Sequence, residues 1–395
     1  MSGKHFLTAL LTTVVAVLSL AATAVSAPPP TFGTGPSTAM EMRQHILDAL
    51  TGKATGFAYA IVKDGRLVVG EGVGKARIGR DGDLNMTRSS RLNVMSVTKT
   101  TTAVAILQLL DQLNLSVDSK IDPWLPTEWV KGLGMWGSNG LSFRHLLTHT
   151  SGLGQAYDTL KAMNPESAES WGNDWDGLEF VVSNGATPNS AYSYKNANYA
   201  LLRIMLPKLW KATPNHPGIN VINEVNVGIW YLAYVQQRVF APAGVSGVTC
   251  SEPNDATAVL VYQAQNTRAG GKLLEVNPPD LDGCGGHANL HLSALDLAKF
   301  MAHLTHGSLL DAGQRSLMDS ARLGWNKDSN KTGSTGIYWH GGDGFWTNGS
   351  VKREVHACVM KFPGNIQATL VVNSNITSGT YQCTILRNAY DQAIA

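Results

Sequence analysis

Residues 96–113 read SVTKTTTAVAILQLLDQL, and within them Ala103, Ile106, Leu107, Leu110 and Leu113 recur at helical spacing with threonine and glutamine between. That pattern predicts a buried helix opened by Ser96-Val97-Thr98-Lys99. Upstream, the β-rich runs Gly56-Phe57-Ala58-Tyr59-Ala60-Ile61-Val62 and Arg66-Leu67-Val68-Val69-Gly70 flank Lys63-Asp64-Gly65, which predicts a hairpin about an Asp-Gly turn. A short helical segment, Met40 to Leu50, precedes it, after a linker at 28–39 that is rich in proline and glycine from Pro28 to Pro36. Downstream, about 120–285 is rich in Gly, Asn, Pro and Trp with short helical patches at Phe143 to Leu147 and Tyr199 to Trp210, and reads as an inserted lobe of helices and long loops. Beyond Ser293 a helix (Leu295 to Leu304) leads to strand-like runs at Gly336 to His340, His356 to Lys361 and Ala368 to Asn373, then to a final helix, Thr384 to Ile394. The order predicts a mixed α/β fold whose sheet draws its hairpin from the N-terminal part and its other strands from the C-terminal part. Residues 40–395 would form one catalytic unit with a helical insertion.

The 31 Lys+Arg against 29 Asp+Glu give a formal charge of +2, too weak a field to recruit nucleic acid or an anionic membrane. Only 15% of residues are charged while 44% are hydrophobic, which excludes a disordered chain. Lys4 and His5, the apolar run Phe6 to Ala22 and the small residues Val25-Ser26-Ala27 read as a secretory signal over 1–27. Cleavage near Ala27, or after Ala24, leaves no stable membrane span and sends the chain outside the cell or to a periplasm. Four cysteines suit two disulfides there; proximity in sequence favours Cys250 with Cys284 and Cys358 with Cys383. Sequons stand at Asn85, Asn114, Asn330, Asn348 and Asn375.

Three elements carry chemistry. Ser96 and Lys99 are the only Ser-x-x-Lys in the chain, and positions i and i+3 share a helix face, so the amine can approach the hydroxyl it must activate. Tyr194-Lys195-Asn196 is the only Tyr-x-Asn; its tyrosine could relay a proton, with nearby cations favouring the phenolate, and its asparagine could hold a substrate carbonyl. Trp339-His340-Gly341-Gly342-Asp343 ends a predicted strand, where two small residues would let a substrate backbone lie along the edge and backbone N–H groups face an oxyanion. Lys331-Thr332-Gly333 is a decoy in loop-like surroundings, and His216-Pro217-Gly218 is turn-like.

Together these elements resemble the serine β-lactamase-related family, in its class C β-lactamase, D-alanyl-D-alanine carboxypeptidase and esterase branch. Leu92-Asn93-Val94-Met95-Ser96-Val97-Thr98-Lys99 is similar to that family's nucleophile segment, and His145-Leu146-Leu147-Thr148-His149-Thr150-Ser151-Gly152-Leu153 to its most recognisable stretch. Tyr194 to Leu202 resembles its tyrosine motif and Ala288 to His303 its late helix. The resemblance implies an antiparallel sheet flanked by helices, as in β-lactamases and transpeptidases, and a serine hydrolase acting through a Ser96 acyl-enzyme. By it, Lys99 handles the proton, Tyr194 is the general base that later protonates the leaving group, Asn196 binds substrate and His340 stands where the family has a strand lysine. The backbone N–H groups of Ser96 and Asp343 would form the oxyanion hole. Which of Lys99 and Tyr194 takes the serine proton stays open.

The chain departs from the family pattern where Lys-Thr-Gly is replaced by His340-Gly341-Gly342. The cation becomes titratable, the middle hydroxyl is gone, and Asp343 adds negative charge, all of which disfavour a β-lactam or a free carboxylate as substrate. Lys195 is bulky for its place in the motif. The expected substrate is a small molecule or peptide carrying an ester or amide; a D-alanyl-D-alanine peptidase, a penicillin-binding protein, a β-lactamase and a catalytically silent binding protein are the alternatives. No cofactor is implied: the sequence has no Walker motif, no dinucleotide glycine motif and no Gly-x-Ser-x-Gly elbow. His145 with His149, and His287 with His291, have metal-compatible spacing but read as structural histidines. Trp171, Trp175, Trp339 and Trp346 could wall an acyl pocket or fill the core.

Overall fold

The computed structural model describes residues 37–130, 140–154, 158, 162, 175–183, 187–251, 256–273, 284–326 and 336–395. The expected signal, most of the expected linker, Trp171, Asn330 and Lys331-Thr332-Gly333 lie outside the described residues.

The first helix, α1 (Ser37–Leu50), takes the last three residues of the expected linker. Strands β1 (Gly56–Lys63) and β2 (Arg66–Arg77) follow, joined at Asp64 and Gly65, whose φ values of +50° and +75° suit the turn that an Asp-Gly pair favours. β2 runs seven residues past the expected end at Gly70. The reason is visible at Gly72, where a Cβ would strike the Thr87 backbone: glycines that are poor strand formers are required there by close approach. Short β3 (Leu84–Asn85) edges this hairpin, and β4 (Leu92–Asn93) leads into a 3-10 turn at Met95–Val97 and helix α2 (Thr98–Gln112).

The insertion carries α3 (Thr127–Val130), α4 (Phe143–Leu147), α5 (Trp175–Ser183), α6 (Asn196–Ala212) and α7 (Val227–Tyr234). The chain returns through β5 (His291–Leu292), α8 (Ala294–His306) and α9 (Ala312–Ser320) to β6 (Tyr338–Asn348), β7 (Val351–Phe362) and β8 (Ile366–Val372), and ends on α10 (Gln382–Ala393). All six strands of the main sheet are antiparallel, in the order β3-β2-β1-β8-β7-β6. β1 lies beside β8, Phe57 opposite Val372, so the two ends of the chain close the sheet as the element order required.

Alternation along β1 divides the core. Phe57, Tyr59 and Ile61 face α1 and α10 and pack with Met42, Ile46, Leu370 and Leu386, whereas Ala60 and Val62 face Ala298 and Ala302 of α8. α2 is buried all round, from Thr98 to Leu107, as its residue pattern predicted. Its threonines find partners: Thr100 Oγ1 donates to Gly324 O at 3.0 Å and Thr102 Oγ1 to Gly286 O at 2.6 Å. Both expected disulfides form, with Cα separations of 5.1 Å for Cys250–Cys284 and 5.5 Å for Cys358–Cys383. Among the described residues, no helix is long and apolar enough to cross a membrane.

Two boundaries differ from the sequence expectation in ways that matter for the site. The helix expected from Ser96 begins at Thr98, because Met95 adopts φ +50° and the chain enters through a tighter turn. His340-Gly341-Gly342-Asp343 does not end a strand but lies in the middle of β6, which continues to Asn348. Glycines 341, 342 and 344 depress the strand signal, and unbroken pairing with β7, from Tyr338 opposite Lys361 to Asn348 opposite Val351, overrides it.

Candidate active site

The serine turn is built from β4. Leu92 and Asn93 pair with Leu292 and His291, and Val94 N donates to Leu290 O at 2.9 Å. Asn93 Oδ1 then accepts from Met95 N at 2.8 Å, and its Nδ2 donates to Asn289 Oδ1 at 3.2 Å. These contacts hold Met95 in the left-handed region, which costs a non-glycine residue about 1 kcal/mol. The next residue, Ser96, is thereby set at the mouth of α2 with its side chain partly exposed.

Lys99 sits one turn further in and is fully buried. Its Nζ lies 3.0 Å from Ser96 Oγ, 2.8 Å from Asn196 Oδ1 and 2.9 Å from the carbonyl oxygen of His287. None of these partners is a carboxylate, so burial holds the lysine pKa far below its ordinary value. The neutral amine has two N–H donors and one lone pair. Asn196 Oδ1 and His287 O can only accept, and take the two donors. In that neutral form, which burial favours, the lone pair is left to accept from the Ser96 O–H.

Tyr194 precedes α6, with its ring 4.8 Å from Lys99 Nζ. Burial pushes its phenol pKa well up, against the opposing effect of a hydrogen bond to Ser96. This reverses the sequence expectation that nearby cations would favour the phenolate. Burial also disfavours a charge on the adjacent lysine. Tyr194 therefore rests as a phenol, a proton donor rather than a base.

His149 supports that tyrosine from below. Its ring lies 4.5 Å from the Tyr194 ring, centroid to centroid, and its Nδ1 is 3.0 Å from Asn198 Nδ2 and 3.3 Å from Lys195 N. Both partners donate, so Nδ1 is the acceptor. His145 holds the start of α4, its Nδ1 accepting from Ser142 N at 3.0 Å. These two histidines are structural, as their sequence context suggested. Lys195, the bulky residue of the motif, turns outward to Asp158 at 2.8 Å.

The third wall is β6. His340 is 2% exposed, its Nδ1 2.8 Å from Gly341 O, and burial, assisted by Lys99, lowers its pKa to about 3 against the effect of that hydrogen bond. The expected titratable cation is thus a neutral imidazole with its proton on Nδ1. The glycines also serve differently from expectation. A Cβ at Gly341 would overlap the Tyr381 hydroxyl, and one at Gly342 would meet Val94 O and come 2.9 Å from Ser96 N. The space comes to be filled by the protein's own close packing rather than left for a substrate.

In an antiparallel ladder alternate residues turn their N–H and C=O groups outward. Trp339 does so, its carbonyl accepting from Asn326 N at 2.8 Å, and Asp343, four residues on in unbroken register, shares its orientation. β6 is the end strand of the sheet, so the Asp343 N–H faces the open edge beside Ser96 N. The Asp343 carboxylate points the other way. It reaches His356 Nδ1 at 2.7 Å and Gln382 Nε2 at 2.9 Å, on the face of α10, although its charge still contributes to raising the Tyr194 pKa. The Asp343 charge thus lies beside the site, as the sequence suggested, on the α10 face of the strand.

Of the residues expected from sequence, Ser96, Lys99, Tyr194 and Asn196 come together, with His340, Gly342 and the Asp343 backbone beside them. Gly341 faces Tyr381 instead. Trp339 is buried in the core on the α10 side and Trp175 packs on Trp129 at 4.9 Å, so neither lines the cleft. His216-Pro217-Gly218 is a turn, Gly218 N donating to His216 O at 2.9 Å. Sequence reasoning missed the His287 carbonyl, which carries no side-chain signal, and Asn93, whose place two residues before the turn was the available cue.

The family model described as "Beta-lactamase" matches residues 42–380. The putative penicillin-binding protein PbpX of Bacillus subtilis (strain 168) is 25% identical over 252 residues, covering 63% of this chain and 54% of that protein. The chain therefore aligns with about half the length of that relative. Among solved structures, the octameric penicillin-binding protein homologue from Pyrococcus abyssi superposes with a TM-score of 0.62 at 21% identity, covering 90% of this chain and 77% of that one. The D-amino acid amidase from Ochrobactrum anthropi SV3, in complex with L-phenylalanine, gives 0.60 at 16% identity, covering 91% and 100%. With the family model spanning most of its length and the same antiparallel sheet and helices in the solved structures, the chain belongs to the beta-lactamase family.

Proposed function

We propose that the protein is a secreted hydrolase that cleaves an ester or amide bond through an acyl-enzyme on Ser96, with Lys99 as the base. The observation that carries this reading is the contact of the buried Lys99 Nζ with Ser96 Oγ at 3.0 Å, with Asn196 Oδ1 and His287 O as its other partners; in the neutral form that burial favours, those two acceptors take its N–H groups and leave its lone pair for the serine O–H. As Oγ attacks the substrate carbonyl, Lys99 takes its proton and the carbonyl oxygen becomes an anion between the Ser96 and Asp343 N–H groups. The new ammonium sits in a site without a counter-carboxylate, which favours passing the proton on. Tyr194 can accept it while giving its own proton to the leaving alcohol or amine. Water then attacks the acyl carbonyl by the reverse relay and frees Ser96.

Among the described residues, neither the neutral His340 nor Gly341 offers a group to bind a substrate carboxylate, which favours neutral acyl donors over β-lactams. The D-amino acid amidase among the structural neighbours agrees with an amide substrate. The name of PbpX supports a second reading, a cell-wall peptidase that penicillin acylates. Secretion is supported by the signal-like residues 1–27 and the two disulfides.

The deciding experiment is labelling with a fluorophosphonate, with the adduct located by peptide mass, beside a panel of p-nitrophenyl esters, D-amino acid amides, a chromogenic cephalosporin and fluorescent penicillin. An adduct on Ser96 with ester or amide turnover is expected. Absence of an adduct, or one retained in Ser96→Ala, overturns the acyl-enzyme; efficient penicillin trapping with no ester turnover favours the cell-wall reading.

A further inference from the structure

The loop at 284–290 is stapled at both ends. At its far end, Leu290 O accepts from Val94 N and His291 N donates to Thr249 O, each at 2.9 Å, which fixes it to the serine turn and to the segment carrying Cys250. At its near end, Cys284 is bonded to Cys250. Between the staples lie Gly285 and Gly286, the latter at φ +69° and packed so that a Cβ would meet Arg203 Cβ and Tyr199 O. Three carbonyls of this loop face the helices of the site: Cys284 O accepts from Arg203 Nη1 of α6 at 2.9 Å, Gly286 O from Thr102 of α2 at 2.6 Å and His287 O from Lys99 at 2.9 Å.

We infer that the Cys250–Cys284 disulfide is a positioning element for the catalytic lysine, holding the His287 carbonyl against Lys99 and keeping water from its amine. The inference rests on the proposed role of Lys99. A two-glycine loop has many accessible conformations, and without the covalent staple only hydrogen bonds would hold its near end. Among the described residues, the groups that face Lys99 are Tyr194 before α6 and Tyr199 within it, His287 from the loop itself, His340 from β6 and the polar side chains of Ser96 and Asn196; Arg203 acts on His287 from behind. None is a carboxylate. Solvent exclusion thus sets the state of the amine, and a loosened loop would admit the water that stabilises an ammonium.

The test is the pH dependence of Ser96 acylation by a p-nitrophenyl ester in the full chain, comparing Cys250→Ser/Cys284→Ser with the control Cys358→Ser/Cys383→Ser. Loss of Cys250–Cys284 should move the acid limb up by about one pH unit, slowing acylation about tenfold at pH values below the wild-type limb and little near pH 10. The control should lower the rate without moving the limb. Thr102→Val, which releases the same loop at Gly286 with both cysteines intact, should move it in the same direction by less, and serves if the double variant does not fold. An unmoved limb in the Cys250→Ser/Cys284→Ser variant, or in Thr102→Val where that variant does not fold, or an equal shift in the control, overturns the inference. Failure of the wild-type chain to acylate at Ser96 would instead overturn the reading on which it rests.

Discussion

The two faces of β6 are only a strand's thickness apart and differ in their electrostatics. On the Ser96 face, Lys99 and His340 are buried and driven to their neutral forms, and Tyr194 keeps its proton. On the α10 face, Asp343 and Glu354 flank His356 at 2.7 and 3.1 Å, and Lys352 closes on Glu354 at 2.8 Å. Burial opposes charge on His356, but its hydrogen bonds to the two carboxylates prevail and raise its pKa. The same strand thus borders a neutral reactive site and a charged structural cluster. Charge is withheld where the reaction must create it and kept where it ties β6, β7 and α10 together.

If the neutral face performs the chemistry, the largest effect comes from its centre. Ser96→Ala should remove acylation by about 10⁴-fold or more, and Lys99→Met by a similar factor, measured by fluorophosphonate labelling. Tyr194→Phe should cost about 10²- to 10⁴-fold in ester turnover. Near-normal activity in either variant would break the division of labour between the faces. Gly342→Ala should be smaller but informative: its methyl group must displace the serine turn, slowing acylation about 10²-fold and lowering stability by about 1–3 kcal/mol in denaturant unfolding.

The two faces should also have opposite pH signatures in stability. Lys99 is lowered in the folded state, so the unfolded chain binds more protons at any pH between the two pKa values, and stability should rise with pH up to about 10.5. The stability of wild type relative to Lys99→Met should therefore improve between pH 7 and 10; the reverse trend would show a charged lysine. His356 is raised, so its contribution is fully present below the unfolded value of about 6.5 and is lost as pH climbs through the folded value. Asp343→Asn should diminish that dependence, within about 1 kcal/mol because the pair is partly exposed, and should change ester turnover only a few-fold.

What the sequence revealed follows from where the chemistry is written. Ser96, Lys99, Tyr194 and Asn196 carry their signals in side chains at short spacing, and the helix and hairpin that place them have clear apolar periods. β6 was legible only as far as His340, since three glycines, two of them required by close packing, look like the end of a strand. The protonation states were illegible. They depend on exclusion of water by α6, β6 and the loop at 284–290, which are distant in the chain, and on a main-chain carbonyl, which every residue possesses.

The pairing of β1 with β8 has a kinetic side. Thr55 N donates to Ser374 Oγ across 319 positions, and the sheet cannot be completed until nearly the whole chain is available. Contacts this remote incur their loop-closure entropy before any stabilisation is returned, which slows assembly, and β6, late in the chain, cannot dock against the serine turn until most of the chain has been made. Until then Lys99 is solvated, carries its proton and has no lone pair to offer. In a chain still being made the serine has no base, and the lone pair becomes available with the closure of the sheet.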